Sequence, residues 1–264
     1  MANRFRLFVA ALISFTTFII AIIGCAGSTS NYNPINKIYV AQLNLRKIKQ
    51  DTVFDKISQD IGTDILPGYI NIGLWSYCTS STDSKHVEKC TSPHGIQQFD
   101  LQTLLGDSVN NNQATKLIES IEDIIIPDKL EDKKGYYNNL AKCMFITLII
   151  GICLMFINFV VIIFRFLVDS VFFTVLGIFF SATAFVSLLI SGGTSVGTYV
   201  YIKHQLSQNY DEFGISLDLG RDYYCLIWGA ILGSLLNFMI WCTVRSKPRG
   251  YVTRSAAPEK RIIL

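Results

Sequence analysis

Four side chains between positions 78 and 94 are of types that bind metals or form disulfide bonds. Cys78, His86, Cys90 and His94 together supply zinc ligands, although their spacing matches none of the common zinc modules. The two cysteines alone would form a disulfide bond in an oxidising compartment, or remain free thiols in a reducing one. The choice between these three states depends on the compartment that holds the segment.

Long uncharged runs dominate the sequence, in which 50% of the residues are hydrophobic and only 16% are charged. A helix of roughly 20 apolar residues crosses a hydrocarbon core about 30 Å thick. The third run is longer than this, and its polar part after Ser195 is predicted to project outward, tilted or as a helical extension. We therefore predict an all-α membrane fold, a bundle of four transmembrane helices at residues 7–26, 143–164, 171–202 and 223–244.

The basic residues that flank these runs predict the orientation of the chain. Nine Lys and Arg residues fall in residues 1–6, 165–170 and 245–264, which we assign to the cytoplasmic N-terminus, link and tail. Residues 27–142 and 203–222 then lie outside the cell. Cleavage of the first run as a signal peptide near Cys25 is the alternative, but it would leave an odd number of spans.

An external position bears on the state of the two loop cysteines. Secreted and extracellular segments lie in an oxidising environment. This environment favours a disulfide between Cys78 and Cys90 over zinc binding or free thiols. A ring of this size would contribute about 3 kcal/mol at most to the free energy of unfolding. This contribution matters for a small external domain with a limited core.

The first external loop has the patterns of a small sheet with helices. Strands are predicted at residues 37–45, as one continuous strand from Tyr69 to Cys78, and as its partner from His86 to Thr91. Two helices are predicted, one after Asp51 and one at residues 113–126. The loop is therefore expected to form a β-sheet/helix domain on the outer face of the bundle.

Uncharged polar and small residues are the remaining features of the four runs. None contains Asp, Glu, His, Lys or Arg, and no GxSxG elbow is present, so we predict no enzymatic activity and no cofactor. Asn158 and Asn237 are expected to hydrogen-bond across helices, at roughly 1 kcal/mol or less each. Two GxxxG pairs permit close helix packing within the bundle or between copies: Gly193 with Gly197, and Gly229 with Gly233.

The C-terminal tail is strongly basic, with a single acid at Glu259. Each base beside an anionic leaflet contributes on the order of 1 kcal/mol to membrane binding. Cys242 lies at the end of the last run, where reversible palmitoylation is an alternative to simple packing. We expect anionic lipid, and not nucleic acid, to bind the six bases of the tail: Arg245, Lys247, Arg249, Arg254, Lys260 and Arg261.

The loop sequence Gly73-Leu74-Trp75, followed by Cys78 and Cys90, resembles the loop signature of claudin-type tetraspans. Together with stretches such as CAGST, NPINKIY and SPHGIQ, it resembles more specifically the fungal SUR7/PalI family, over nearly the whole chain. The loop has no tryptophan before Leu74, unlike that of animal claudins, which argues against a paracellular barrier role. The resemblance implies a small claudin-like extracellular domain in the first loop.

The resemblance also implies a function. Proteins of this family are non-enzymatic plasma membrane proteins that concentrate in patches linked to eisosomes and are connected with cell-wall integrity, stress response and sphingolipid-rich membrane. We expect an organiser whose partners are membrane lipids, lateral protein partners or further copies of the chain. An auxiliary channel subunit or a sensor subunit of claudin-like type is the alternative.

Overall fold

The computed structural model of the protein describes residues 2–46, 67–80, 87–93, 95–96, 134–210 and 216–244. The helices predicted after Asp51 and at residues 113–126 lie outside the described residues, as do His86, His94 and the basic tail.

Four long helices form the bundle: α1 (Ala2–Cys25), α2 (Lys134–Leu167), α3 (Val171–Tyr210) and α4 (Arg221–Thr243). All four are long and apolar enough to cross a membrane, which confirms the four-helix prediction. Two of them extend far beyond the predicted runs, since α2 begins at Lys134 and α3 ends at Tyr210. At 1.5 Å per residue they are about 50 and 60 Å long, so both extend beyond a hydrocarbon core of about 30 Å.

The helices form a ring in which each one contacts its two neighbours. Helix α1 packs on α2 and α4, and α3 packs on the same two helices. A large apolar cluster joins the sheet to the adjacent halves of the helices, which we call the sheet end of the bundle. A smaller cluster, which includes Leu7, Val161 and Trp241, lies at the opposite end.

A five-stranded antiparallel sheet covers the sheet end. Its strands lie in the order β4-β3-β2-β1-β5. In chain order they are β1 (Ala41–Asn44), β2 (Tyr69–Ile72), β3 (Tyr77–Ser80), β4 (Val87–Cys90) and β5 (Ser216–Leu219). The first four strands lie between α1 and α2, and the fifth lies between α3 and α4.

The prediction of one strand from Tyr69 to Cys78 was wrong. The segment forms two antiparallel strands, with Ile72 paired to Tyr77 across a turn at residues 73–76. The apolar residues continue to alternate through the turn, so the pattern alone resembles a longer strand. Gly73 marks the place where the chain reverses.

Strand β5 was missed because it lies in a short polar loop, where its four residues have no strong pattern of their own. It pairs antiparallel with β1, with Leu217 opposite Leu43. Both leucines are buried in the large apolar cluster. The second loop is thus part of the same sheet as the first.

Candidate functional site

The turn between β2 and β3 carries the loop signature and lies against the end of α1. The Gly73 N–H donates to the Ser76 carbonyl oxygen at 2.9 Å, which closes the turn. A Cβ at Gly73 would lie 2.7 Å from the Ser28 Cβ and 2.8 Å from the Gly27 carbonyl oxygen. Such distances are too short for any side chain, so only glycine fits here.

Ser28, three residues after the end of α1, contacts this turn. It is fully buried with a left-handed backbone (φ 58°), and its hydroxyl donates to the Ile38 carbonyl oxygen at 2.9 Å. The Ser76 hydroxyl in turn donates to the Ser28 carbonyl oxygen at 2.5 Å. Sequence reasoning did not identify Ser28, for which the only signal is its place in the small-residue stretch CAGST.

Leu74 and Trp75 attach the same turn to the apolar part of the bundle. Leu74 is buried in the large apolar cluster. The Trp75 ring meets the Phe145 ring of α2 edge to face, with centroids 4.5 Å apart, and Trp75 lines a shallow pocket together with Cys25 of α1. The turn therefore contacts α1 and α2 together, which fixes the sheet on the pair of helices that flank it in the chain.

The predicted disulfide between Cys78 and Cys90 is confirmed. The two residues lie directly opposite each other on β3 and β4. Cys78 is fully buried, with its sulfur 3.4 Å from the Ser28 carbonyl oxygen. Because the bond uses both sulfurs, neither is a thiolate that could bind zinc.

The start of α4 is attached to the side of the sheet that contains β1 and β5. The Gly220 N–H donates to the Val40 carbonyl oxygen at 3.0 Å, and a Cβ at Gly220 would overlap the carbonyl oxygen of Tyr39. Burial raises the pKa of the Tyr39 phenol, and the carboxylates of Asp222 and Asp218 raise it further. A neutral phenol therefore lies between the sheet and α4.

A layer of buried polar side chains, one from each helix, separates the two apolar clusters: Ser14, Asn158, Ser181 and Asn237. Ser14 donates across helices to the Met155 carbonyl oxygen at 3.4 Å. Neither amide atom of Asn158 or Asn237 has a hydrogen-bond partner among the described residues. The interhelical hydrogen bonds expected of the two asparagines are therefore not found among the described residues.

The GxxxG glycines differ from one another in their surroundings. A Cβ at Gly233 would overlap the Thr17 side chain of α1, so α1 and α4 approach closely there. At Gly193, Gly197 and Gly229 no atom of the described chain lies within 4 Å of such a Cβ. These three positions therefore meet no other part of the described chain.

Other glycines, which the GxxxG spacing did not select, lie at close helix contacts. A Cβ at Gly151 would lie 2.7 Å from the Leu188 side chain, and one at Gly192 would lie 2.8 Å from Ile231. One at Gly177 would overlap the ring of Trp241. Only the packed structure shows which partner each glycine meets.

Charged residues at the end opposite the sheet connect neighbouring helices. Arg165 is buried, forms an ion pair with Asp169, and donates from Nε to the Thr174 hydroxyl at 2.9 Å. Arg6 donates from Nη1 to the Thr243 carbonyl oxygen at 2.7 Å, which joins α1 to α4. The six bases predicted to contact anionic lipid lie in the tail, outside the described residues.

Four membrane-length helices in a ring, with a disulfide-linked antiparallel sheet between the first two, are the architecture of a claudin-like tetraspan membrane protein. The chain belongs to the SUR7/PalI family, whose model matches residues 6–240. It is 49% identical over 265 residues to Protein PUN1 of Saccharomyces cerevisiae (strain ATCC 204508 / S288c), with 100% of both chains covered. No solved structure matches the chain. The protein is therefore a multi-pass membrane protein of this family.

Proposed function

We propose that the protein is a non-enzymatic organiser of the fungal plasma membrane. In this proposal it gathers in eisosome-associated patches and supports cell-wall integrity and the response to stress. Membership of the SUR7/PalI family and the full-length similarity to Protein PUN1 support this role. Both termini lie in the cytoplasm, as the basic flanks of the spans predict, and the sheet faces the cell wall.

The attachment of the sheet to the bundle is the observation that carries the proposal. The turn at Gly73 packs on the end of α1, Trp75 packs on α2, and Gly220 joins the sheet to α4. A domain held at three helices cannot rotate freely against the spans. A partner bound outside the membrane would therefore hold the spans, and the lipids around them, in place.

The bundle and the tail offer the contacts that lateral organisation needs. Gly193 and Gly229 meet no other part of the described chain, so a helix of a protein partner or of another copy can approach the backbone closely there. The six tail bases, Arg245 to Arg261, are proposed to bind anionic lipid of the inner leaflet. Lateral partners and lipids would thus be bound at different depths.

Imaging of a disulfide variant in live cells tests this role. We expect a fluorescently tagged Cys78→Ser/Cys90→Ser protein to be retained in the endoplasmic reticulum or to lose its patches, because the outer strand β4 is no longer linked covalently to β3. Cys143→Ser is the matched control, since Cys143 is an exposed free thiol on α2.

Normal patches in the double variant, at normal surface level and with normal growth under wall stress, would contradict the role of the folded sheet. Stoichiometric co-purification of the wild-type protein with one channel or receptor would favour an auxiliary subunit instead.

A further inference from the structure

A groove of about 730 Å³ lies between α2 and α3 at the sheet end of the bundle. The tyrosines Tyr136 and Tyr137 line it from α2, and Thr194, Gly197 and Tyr201 line it from α3. Its volume lies in the range of sites that bind small molecules, about 300–1,000 Å³. None of the features that attach the sheet to the bundle involves this groove.

The depth of the groove follows from the lengths of the helices. If α3 enters the hydrocarbon core at Val171, beside the charged Asp169, and leaves it near Ser195, as predicted from the sequence, part of the groove lies beyond the core. Gly197 and Tyr201 then lie roughly 3 and 9 Å beyond that boundary. On α2 the groove residues precede the exposed Lys142, whose charge also belongs outside the core. The groove therefore lies at the level of the lipid headgroups on the sheet side.

The walls of the groove continue directly into lipid-facing surface. On α3, Ile190 lies one turn below Thr194 on the same face, and 46% of its surface is exposed. On α2, Ile150 lies on the helical face of Tyr136 and Leu140, and 45% of its surface is exposed. A ligand that fills the groove thus has apolar surface directly beneath it for hydrocarbon chains. This arrangement fits a lipid better than a water-soluble molecule.

The chemical character of the lining residues indicates which lipid headgroup the groove can bind. Among the described residues, none of those that line the groove is charged, so a phosphate or ammonium group would find no counter-ion on these walls. The rings of Tyr137 and Tyr201 lie 5.7 Å apart, and Tyr136, 63% exposed, lies 6.0 Å from Tyr137. Tyrosines present flat apolar faces with hydroxyl groups at the rim. A sugar ring has the complementary surface, with C–H faces for the rings and hydroxyl groups for the rim.

The hydroxyl groups separate two kinds of neutral lipid. A sterol offers a single hydroxyl group to the rim of the groove and has no sugar face for the tyrosine rings. A hexose offers several hydroxyl groups together with a C–H face. We propose that this groove binds the sugar head of a neutral glycolipid from the leaflet on the sheet side, for which glucosylceramide is the probe. The site requires only that the chain crosses the membrane, so it is independent of the proposed role in patches.

Gly197 makes it possible to block the groove without disturbing the bundle. It is a lining residue, and a Cβ placed there meets no atom of the described chain within 4 Å. In Gly197→Leu the new side chain would occupy the groove, and leucine is also a better helix former than glycine. Gly193, one turn away, has equally open surroundings but does not line the groove, so Gly193→Leu is the matched control.

The test uses the full-length protein reconstituted in phosphatidylcholine vesicles that contain photoreactive, alkyne-tagged glucosylceramide. Phosphatidylcholine with the same photoreactive chain, at the same mole fraction, is the comparison lipid. We expect glucosylceramide to label the wild type about tenfold more strongly, at peptides from the sheet-side halves of α2 and α3. The label should fall to the phosphatidylcholine level in Gly197→Leu and remain unchanged in Gly193→Leu.

A second variant, Tyr136→Leu, changes an exposed ring and should also reduce glucosylceramide labelling. An intact disulfide and an unchanged thermal midpoint show that each variant is folded. Equal labelling of the wild type by the two lipids would overturn the proposal. So would undiminished labelling of folded Gly197→Leu, or an equal loss in Gly193→Leu.

Discussion

Trp75 of the β2–β3 turn and Phe145 of α2 meet edge to face, with ring centroids 4.5 Å apart. Two segments that are 70 positions apart in the chain are thereby held together at the boundary between sheet and bundle. Edge-to-face aromatic pairs contribute about 0.5–1.5 kcal/mol beyond the area they bury. The loop signature thus has a structural task, which is to hold the sheet on the helices.

Trp75→Ala should lower the free energy of unfolding by about 2–4 kcal/mol, because the ring loses both its buried area and its contact with Phe145. Trp75→Phe keeps an aromatic ring and should cost less than about 1.5 kcal/mol. Thermal unfolding in detergent micelles measures both. Trp228→Ala, a change at an exposed tryptophan of α4, is the control. Equal effects at Trp75 and Trp228 would contradict the importance of the junction.

Gly73→Ala should be destabilising by about 1–3 kcal/mol, because the methyl group would lie 2.7 Å from the Ser28 Cβ. Gly229→Ala is the matched glycine control, since its Cβ would meet no described atom within 4 Å. Alanine in a helix is favoured over glycine by up to about 1 kcal/mol, so this control should be neutral or stabilising. The shift of the thermal midpoint checks both variants, and an unchanged midpoint in Gly73→Ala would show that the turn does not pack tightly on α1.

Reduction of the Cys78–Cys90 bond should lower the free energy of unfolding by up to about 3 kcal/mol. Limited proteolysis, with and without a reducing agent, should show new cleavage in the sheet while the helices remain protected. The Cys78→Ser/Cys90→Ser variant should be cleaved in the same way without reduction, and the reducing agent should not change it further. Identical cleavage of oxidised and reduced wild type would contradict a stabilising bond.

Asn158→Leu and Asn237→Leu should each stabilise the bundle by about 1 kcal/mol or more, since each replaces a buried amide that has no described partner. Ser191→Ala provides the contrast, because the Ser191 hydroxyl donates to the Met144 carbonyl oxygen at 2.8 Å, and its loss should cost about 1 kcal/mol. Thermal unfolding in micelles distinguishes the two cases. Destabilisation by both leucine variants would show that water or another polar group binds these amides in the membrane.

The helices and the disulfide could be predicted from the sequence because each depends on a local or compositional property. An uncharged run such as residues 143–164 is recognisable without its neighbours. A pair of cysteines in an oxidising environment has few alternatives to a disulfide bond. The turn at Gly73 could not be predicted in this way. Its glycine is required by Ser28, which the chain brings close only after folding.

The same limit explains the remaining differences. Strand β5 is stabilised by its pairing with β1, and its four residues have no strong pattern of their own. The spacing of Gly193 and Gly197 matched a packing motif, but the close helix contacts lie at glycines such as Gly151 and Gly177. Spacing shows which residues share a helical face but not what that face meets.

The most direct test of the whole account is the accessibility of tags at the two ends of the chain in intact cells. Four crossings with the sheet outside place both ends in the cytoplasm. Antibodies should therefore reach a tag at either end only after the cells are permeabilised. Binding to either tag on intact, unpermeabilised cells would contradict the account.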